Sequence, residues 1–76
     1  MADDPTFTIA LRGYDMNEVR ALLRQGEAAL ASDSPAERAA AAEALRRPTI
    51  TVRLRGYDRT QVENTLGLLV DRLAPR

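Results

Sequence analysis

Cysteine, histidine and lysine are all absent from this chain of 76 residues. Without cysteine there are no disulfides and no thiolate metal sites. Without histidine as well, the commonest general base and the strongest ordinary nucleophile are both missing, and the reading is that the protein is not an enzyme. Its acidic residues fall at helix starts and on solvent faces rather than at the spacing of a calcium loop, so no metal and no cofactor is expected. Net charge is lacking too: eleven arginines balance eleven acidic residues, which leaves no global field to draw nucleic acid or an anionic membrane. "RLRGYDR" is locally basic, but it has neither a glycine-rich phosphate loop nor an array of aromatics for stacking bases, so nucleic acid is not an expected partner. Nothing approaches the roughly 20 consecutive apolar residues of a spanning helix. The start, "MADDPTFT", lacks the apolar core of a secretory signal. The expected location is the cytoplasm, with the inner face of the membrane as the only membrane surface to consider.

What is there is a repeat. "TFTIALRGYDMNEVRALL" lies over "TITVRLRGYDRTQVENTL" with an offset of 43 residues, and "LRGYD" is identical at 11–15 and 54–58. Phe7, Ile9 and Leu11 alternate with Thr8 and Ala10, and Ile50, Val52 and Leu54 alternate with Thr51 and Arg53. That is the period of a short strand with one buried face, which places Leu11 and Leu54 on that face. Gly13 and Gly56 follow where a tight strand-to-helix turn can demand a positive backbone angle. Asp15 then fits an N-cap with Glu18 returning the hydrogen bond, and Asp58 with Gln61 repeats this capping box. Tyr14 with Val19, and Tyr57 with Val62, stand at the two ends of a hydrophobic staple. Arg12 and Arg55 are left to pair with a nearby carboxylate or turn carbonyl, or to mark a contact surface.

Spacing predicts three helices. The first, about 15–31, carries Val19, Leu22, Leu23 and Leu30 on a stripe with Gly26 as a weak point inside it. The second, about 35–47, starts at Ser34 with Pro35 in its first turn and Glu37 closing a box; it is alanine-rich and bridges the repeats. The third, about 58–74, has Val62, Leu66, Leu69 and Leu73 on one stripe, with Leu68 and Val70 off it. Residues 1–76 thus read as one α+β domain in the order β-α-α-β-α. Repeat one spans about 6–31, the bridging helix about 35–47 and repeat two about 49–74. The strands are expected to meet antiparallel, with an internal twofold that sends the two "LRGYD" turns to opposite ends. A two-stranded sheet with bare edges in so small a domain is marginal alone. A homodimer is therefore expected, through Leu68 and Val70, through a strand edge, or both.

An apolar residue, "RGYD", and a helix with valine shortly after its start, as in "LRGYDMNEVRALL" and "LRGYDRTQVENTL", resemble the motif of the DivIVA family of bacterial division and polarity scaffolds. The resemblance covers roughly 18 residues in each repeat. It implies a non-catalytic scaffold or adaptor that binds other proteins in cell division, polar growth or a related assembly, and the arginine- and alanine-rich coding suits an actinobacterial source. In the family, the residues before the glycine form an exposed tip that enters the bilayer; here these are Leu11 with Arg12 and Leu54 with Arg55. The chain departs from the family by having two motifs and no long coiled coil. Peripheral membrane binding through those tips is the second reading. A regulator or chaperone that adds a partner's strand to the sheet edge is the third.

Overall fold

Residues 7–74 are described by the computed structural model. In chain order the elements are β1 (Ile9–Ala10), β2 (Gly13–Tyr14), α1 (Met16–Leu30), α2 (Pro35–Arg46), β3 (Val52–Arg53), β4 (Gly56–Tyr57) and α3 (Arg59–Leu73). The fold is α+β, as the periodicities predict, and the helices match their expected spans to within a residue or two. Residues 1–6, which include the acidic start and the first residue of repeat one, lie outside the described residues.

Each helix begins where its local chemistry says it should. The Asp15 carboxylate accepts from the Glu18 N–H at 2.9 Å, and the Asp58 carboxylate accepts from the Gln61 N–H at 3.0 Å. Ser34 caps α2 by accepting from the Glu37 N–H at 3.2 Å, with Pro35 in the first turn, where a missing N–H costs nothing. The buried stripes are Val19, Leu23, Gly26 and Ala29 on α1 and Val62, Leu66, Leu69 and Leu73 on α3. Between them α2 inserts Ala41, Ala42 and Leu45. Its alanines let the backbones approach, while Leu45, with Val19 and Val62, is among the most fully buried large side chains. Gly26 is no weak point: a Cβ there would stand 2.9 Å from Leu45 Cδ1 and 3.2 Å from Leu69 Cδ1, so its bareness is what lets the three helices close.

The sheet departs from expectation. Each strand segment bends at its Leu-Arg pair and contributes two short strands, so the sheet has four strands in the order β1-β4-β2-β3, all neighbours antiparallel. Ile9 pairs with Tyr57 and Ala10 with Gly56, while Gly13 pairs with Arg53 and Tyr14 with Val52. These four pairs keep one register along the two segments. An added bridge, Tyr14 to Tyr57, joins the inner strands. The "LRGYD" segments therefore meet in the middle of the sheet rather than standing at opposite ends of the domain.

Candidate functional site

The crossing of the two "LRGYD" segments is the place where the repeated letters converge. Neither Gly13 nor Gly56 has a positive φ, so the turn-angle explanation fails. Their role is close approach. A Cβ on Gly13 would lie 2.5 Å from the Gly56 carbonyl carbon and 2.6 Å from its oxygen, and a Cβ on Gly56 would lie 2.7 and 2.8 Å from the same atoms of Gly13. Only hydrogen fits on either side.

Around the glycines the bonds come in reciprocal pairs, related by the offset of 43 residues. The Asp15 N–H donates to the Thr51 carbonyl and the Asp58 N–H to the Thr8 carbonyl, both at 2.8 Å. Conversely, the Thr51 N–H donates to Glu18 Oε1 at 2.9 Å, and the Thr8 N–H to Gln61 Oε1 at 2.7 Å. Gln61 also donates through Nε2 to the Thr8 hydroxyl at 3.1 Å. Glu18 and Gln61 are thus not the return half of local capping boxes. Because each cap's own N–H is taken by the other repeat's threonine carbonyl, the side chain three residues on is free to hold that threonine's N–H. The signal was present in the sequence as the paired threonines, Thr8 and Thr51, but its direction was not.

The tyrosines pack on the core from this crossing. The Tyr14 hydroxyl donates to Glu63 Oε2 at 2.6 Å, and that bond to a carboxylate, helped by desolvation, raises the phenol's pKa. Tyr57 instead packs against Phe7, with ring centroids 5.1 Å apart, and the Arg20 guanidinium stands 5.9 Å from its ring centre. Asp15 also holds Arg53, whose Nε donates to Oδ2 at 2.9 Å. The Glu18 N–H first, and Arg53 second, keep the Asp15 carboxyl below its usual pKa.

The bend that lets the glycines meet throws the preceding residues outward. Leu11 and Leu54 are each 82% exposed, against the strand-face expectation. Strand parity fails because the segment does not continue straight: only Phe7 is buried and Ile50 partly so, while Ile9 and Val52 keep 44% and 40% exposure. Arg12 and Arg55 are exposed alongside the leucines, and among the described residues neither forms an ion pair, whereas their neighbour Arg53 pairs with Asp15. On α3, Leu68 is 65% exposed, but Val70 is half-buried against the core and lines a shallow groove with Leu45, Pro48, Leu66 and Gly67. Of the two residues expected at a dimer contact there, Leu68 is exposed and Val70 is half-buried.

Elsewhere, a groove of about 540 Å³ between α2 and the end of α3 is floored by Ala39, Ala42 and Leu73, with Arg38, Glu43 and Arg46 among its other lining residues. Arg38 was not anticipated from sequence. Its guanidinium donates to the Leu30 carbonyl at 3.2 Å and to the Arg72 carbonyl at 3.1 Å, tying together the C-terminal ends of α1 and α3. Among the described residues no group of three or more acidic side chains is placed to hold a metal ion, and no helix is long and apolar enough to cross a membrane.

Comparison of the chain with protein-family models, with curated proteins and with solved structures gives no match.

Proposed function

We infer that the protein is a non-catalytic interaction module, an adaptor that presents the paired tips Leu11-Arg12 and Leu54-Arg55 to a partner protein. The observation that carries this reading is the exposure of both leucines, at 82%, beside glycines that are buried. Two large apolar side chains held in water on a rigid crossing, each with an arginine next to it, suit a partner offering apolar pockets with acidic rims. The resemblance of "LRGYD" and its helix to the DivIVA motif supports a role on the cytoplasmic side in bacterial division, polar growth or a related assembly.

A chain with both Leu11→Ser and Leu54→Ser tests this. Both positions are exposed, so the variant should melt like the wild type. The expected result is that proteins captured from the native cell by the wild type are lost with the variant. Equal capture by both would refute the tips as the contact.

The exposed leucines also favour a second reading, a peripheral membrane contact. Two leucines fully inserted contribute about 3 to 6 kcal/mol, the range of a marginal, reversible anchor. Sedimentation with anionic liposomes at physiological salt separates the readings: the adaptor stays in the supernatant, whereas a membrane module pellets and is released by the same double substitution.

A further inference from the structure

The two tips are anchored at the same places. Ala10 pairs with Gly56 on one side of them and Gly13 with Arg53 on the other, so only Leu11-Arg12 of one segment and Leu54-Arg55 of the other lie between. Both pairs keep one register, and carrying it across sets Leu11 opposite Arg55 and Arg12 opposite Leu54. The result is a four-residue patch in which leucine and arginine alternate along each segment and across it. Ile9 and Val52, both exposed, extend its apolar part to either side. Among the described residues neither Arg12 nor Arg55 has a carboxylate partner, so the patch carries two positive charges that the fold leaves uncompensated.

We propose that the two tips form a single binding site, which takes one short segment of a partner protein carrying acidic side chains between apolar ones. This rests on the tips being the contact surface and adds that they act as one. A guanidinium holds a carboxylate through two parallel N–H bonds, and the leucine beside each arginine shields that pair from water, which strengthens it. The alternation selects a protein segment over a lipid surface. A bilayer accepts leucines in its hydrocarbon, but sinking both carries the adjoining guanidiniums below the phosphates, where they are costly. A peptide answers each leucine and each arginine in turn. It must cross both tips, because the residue facing each arginine across the patch is the other tip's leucine.

A phage library of random short peptides, selected against the immobilised full chain, tests this, with the most enriched peptide then synthesised and titrated by calorimetry. Enriched peptides should combine leucine, isoleucine, valine or phenylalanine with aspartate or glutamate, and one peptide should bind per chain. Leu11→Ser and Leu54→Ser, both at exposed positions, should each weaken that binding about ten-fold or more without changing its stoichiometry. Arg12→Gln and Arg55→Gln should each weaken it and reduce its sensitivity to salt. Two peptides per chain, with each leucine substitution abolishing one, would overturn the single site and leave the adaptor reading standing. Binding that survives Leu11→Ser and Leu54→Ser together would sink that reading and this inference with it. An acidic segment is ruled out as the occupant by enrichment of peptides without acidic residues, by no enrichment at all, or by pelleting with phosphatidylglycerol vesicles that either leucine substitution abolishes.

Discussion

Replacing Gly13 by alanine changes one hydrogen to a methyl group, yet at this position it should be among the most damaging single substitutions. The new Cβ would sit 2.5 Å from the Gly56 carbonyl carbon, where ordinary contact begins near 3.4 Å, so the two backbones must separate by roughly an ångström. Backbone cannot rotate aside as a side-chain end can. The separation strains the Tyr14–Tyr57 bridge and the 2.8 Å bonds flanking it. Overpacking a core with extra methyl groups costs about 1 to 3 kcal/mol when side chains can adjust; here the upper end, about 3 kcal/mol, is expected. A domain of this length has roughly 4 to 11 kcal/mol of total stability, so the loss is a large fraction and lowers Tm by about 12 to 24 °C. Gly56→Ala should behave alike, because its Cβ meets the mirror set of atoms. Gly67→Ala is the internal control: nothing lies within 4 Å of its Cβ, and removing a helical glycine should stabilise by roughly 0.5 to 1 kcal/mol. Urea unfolding followed by far-UV circular dichroism reads all three. A Gly13→Ala midpoint equal to wild type would refute the crossing.

Asp58→Ala removes an N-cap and should cost about 1 kcal/mol in the same melts. Asp15→Ala should cost more, since Arg53 loses its partner as well. The Asp15 carboxyl is held below its usual pKa, chiefly by the Glu18 N–H, so its contribution is present above the unfolded value, near pH 4, and is lost as pH falls through the lower folded value. Asp15→Asn, which still caps, should flatten that acid limb of a stability–pH curve, and an unchanged limb would show that the charge contributes nothing. Arg38→Met keeps the aliphatic stem but frees the Leu30 and Arg72 carbonyls; a loss of about 1 to 2 kcal/mol is expected from two charge-assisted bonds near helix ends, and a wild-type melt would show that the link is idle.

Helix starts were legible in the sequence because capping is local. Asp15 meets an N–H three residues away, and so do Ser34 and Asp58, so the pattern and its geometry lie within one turn of chain. Stripes were legible for the same reason. The strand segments were misread because burial of a strand face depends on what covers it, and the bend at Leu11-Arg12 takes the segment away from the helices before its apolar residues can be used. Likewise, glycine looked like a turn residue when each repeat was taken alone. Its reason lies 43 residues away, in the other glycine. Arg38 could not have been found: the carbonyls it binds are 8 and 34 residues distant and belong to helix ends that spacing alone does not bring together.

Where backbones cross, the repeats are identical; where side chains meet, they differ, and the difference at Gly26 can be measured. The offset of 43 carries Gly26 onto Leu69, and the two positions face each other, with Leu69 Cδ1 3.2 Å from the site of a Cβ on residue 26. Leu45 from α2 comes closer still, at 2.9 Å, so the glycine makes room for the one large side chain that the bridging helix buries. Gly26→Ala in the wild type therefore sets a helix-propensity gain of about 1 kcal/mol against displacement of a leucine that is 2% exposed and has little space to retreat into. The net change should be near zero or destabilising. Leu45→Ala costs about 2 to 5 kcal/mol by opening a cavity beside Gly26. In that background the new methyl meets no Leu45 carbon and fills part of the void, so Gly26→Ala should turn stabilising by about 1 kcal/mol. The double-mutant cycle thus has a sign as well as a size: positive coupling between residues 26 and 45 is required. If Gly26→Ala shifts the urea midpoint equally in both backgrounds, the glycine is not there for Leu45, and the account of how three helices close over one leucine is wrong.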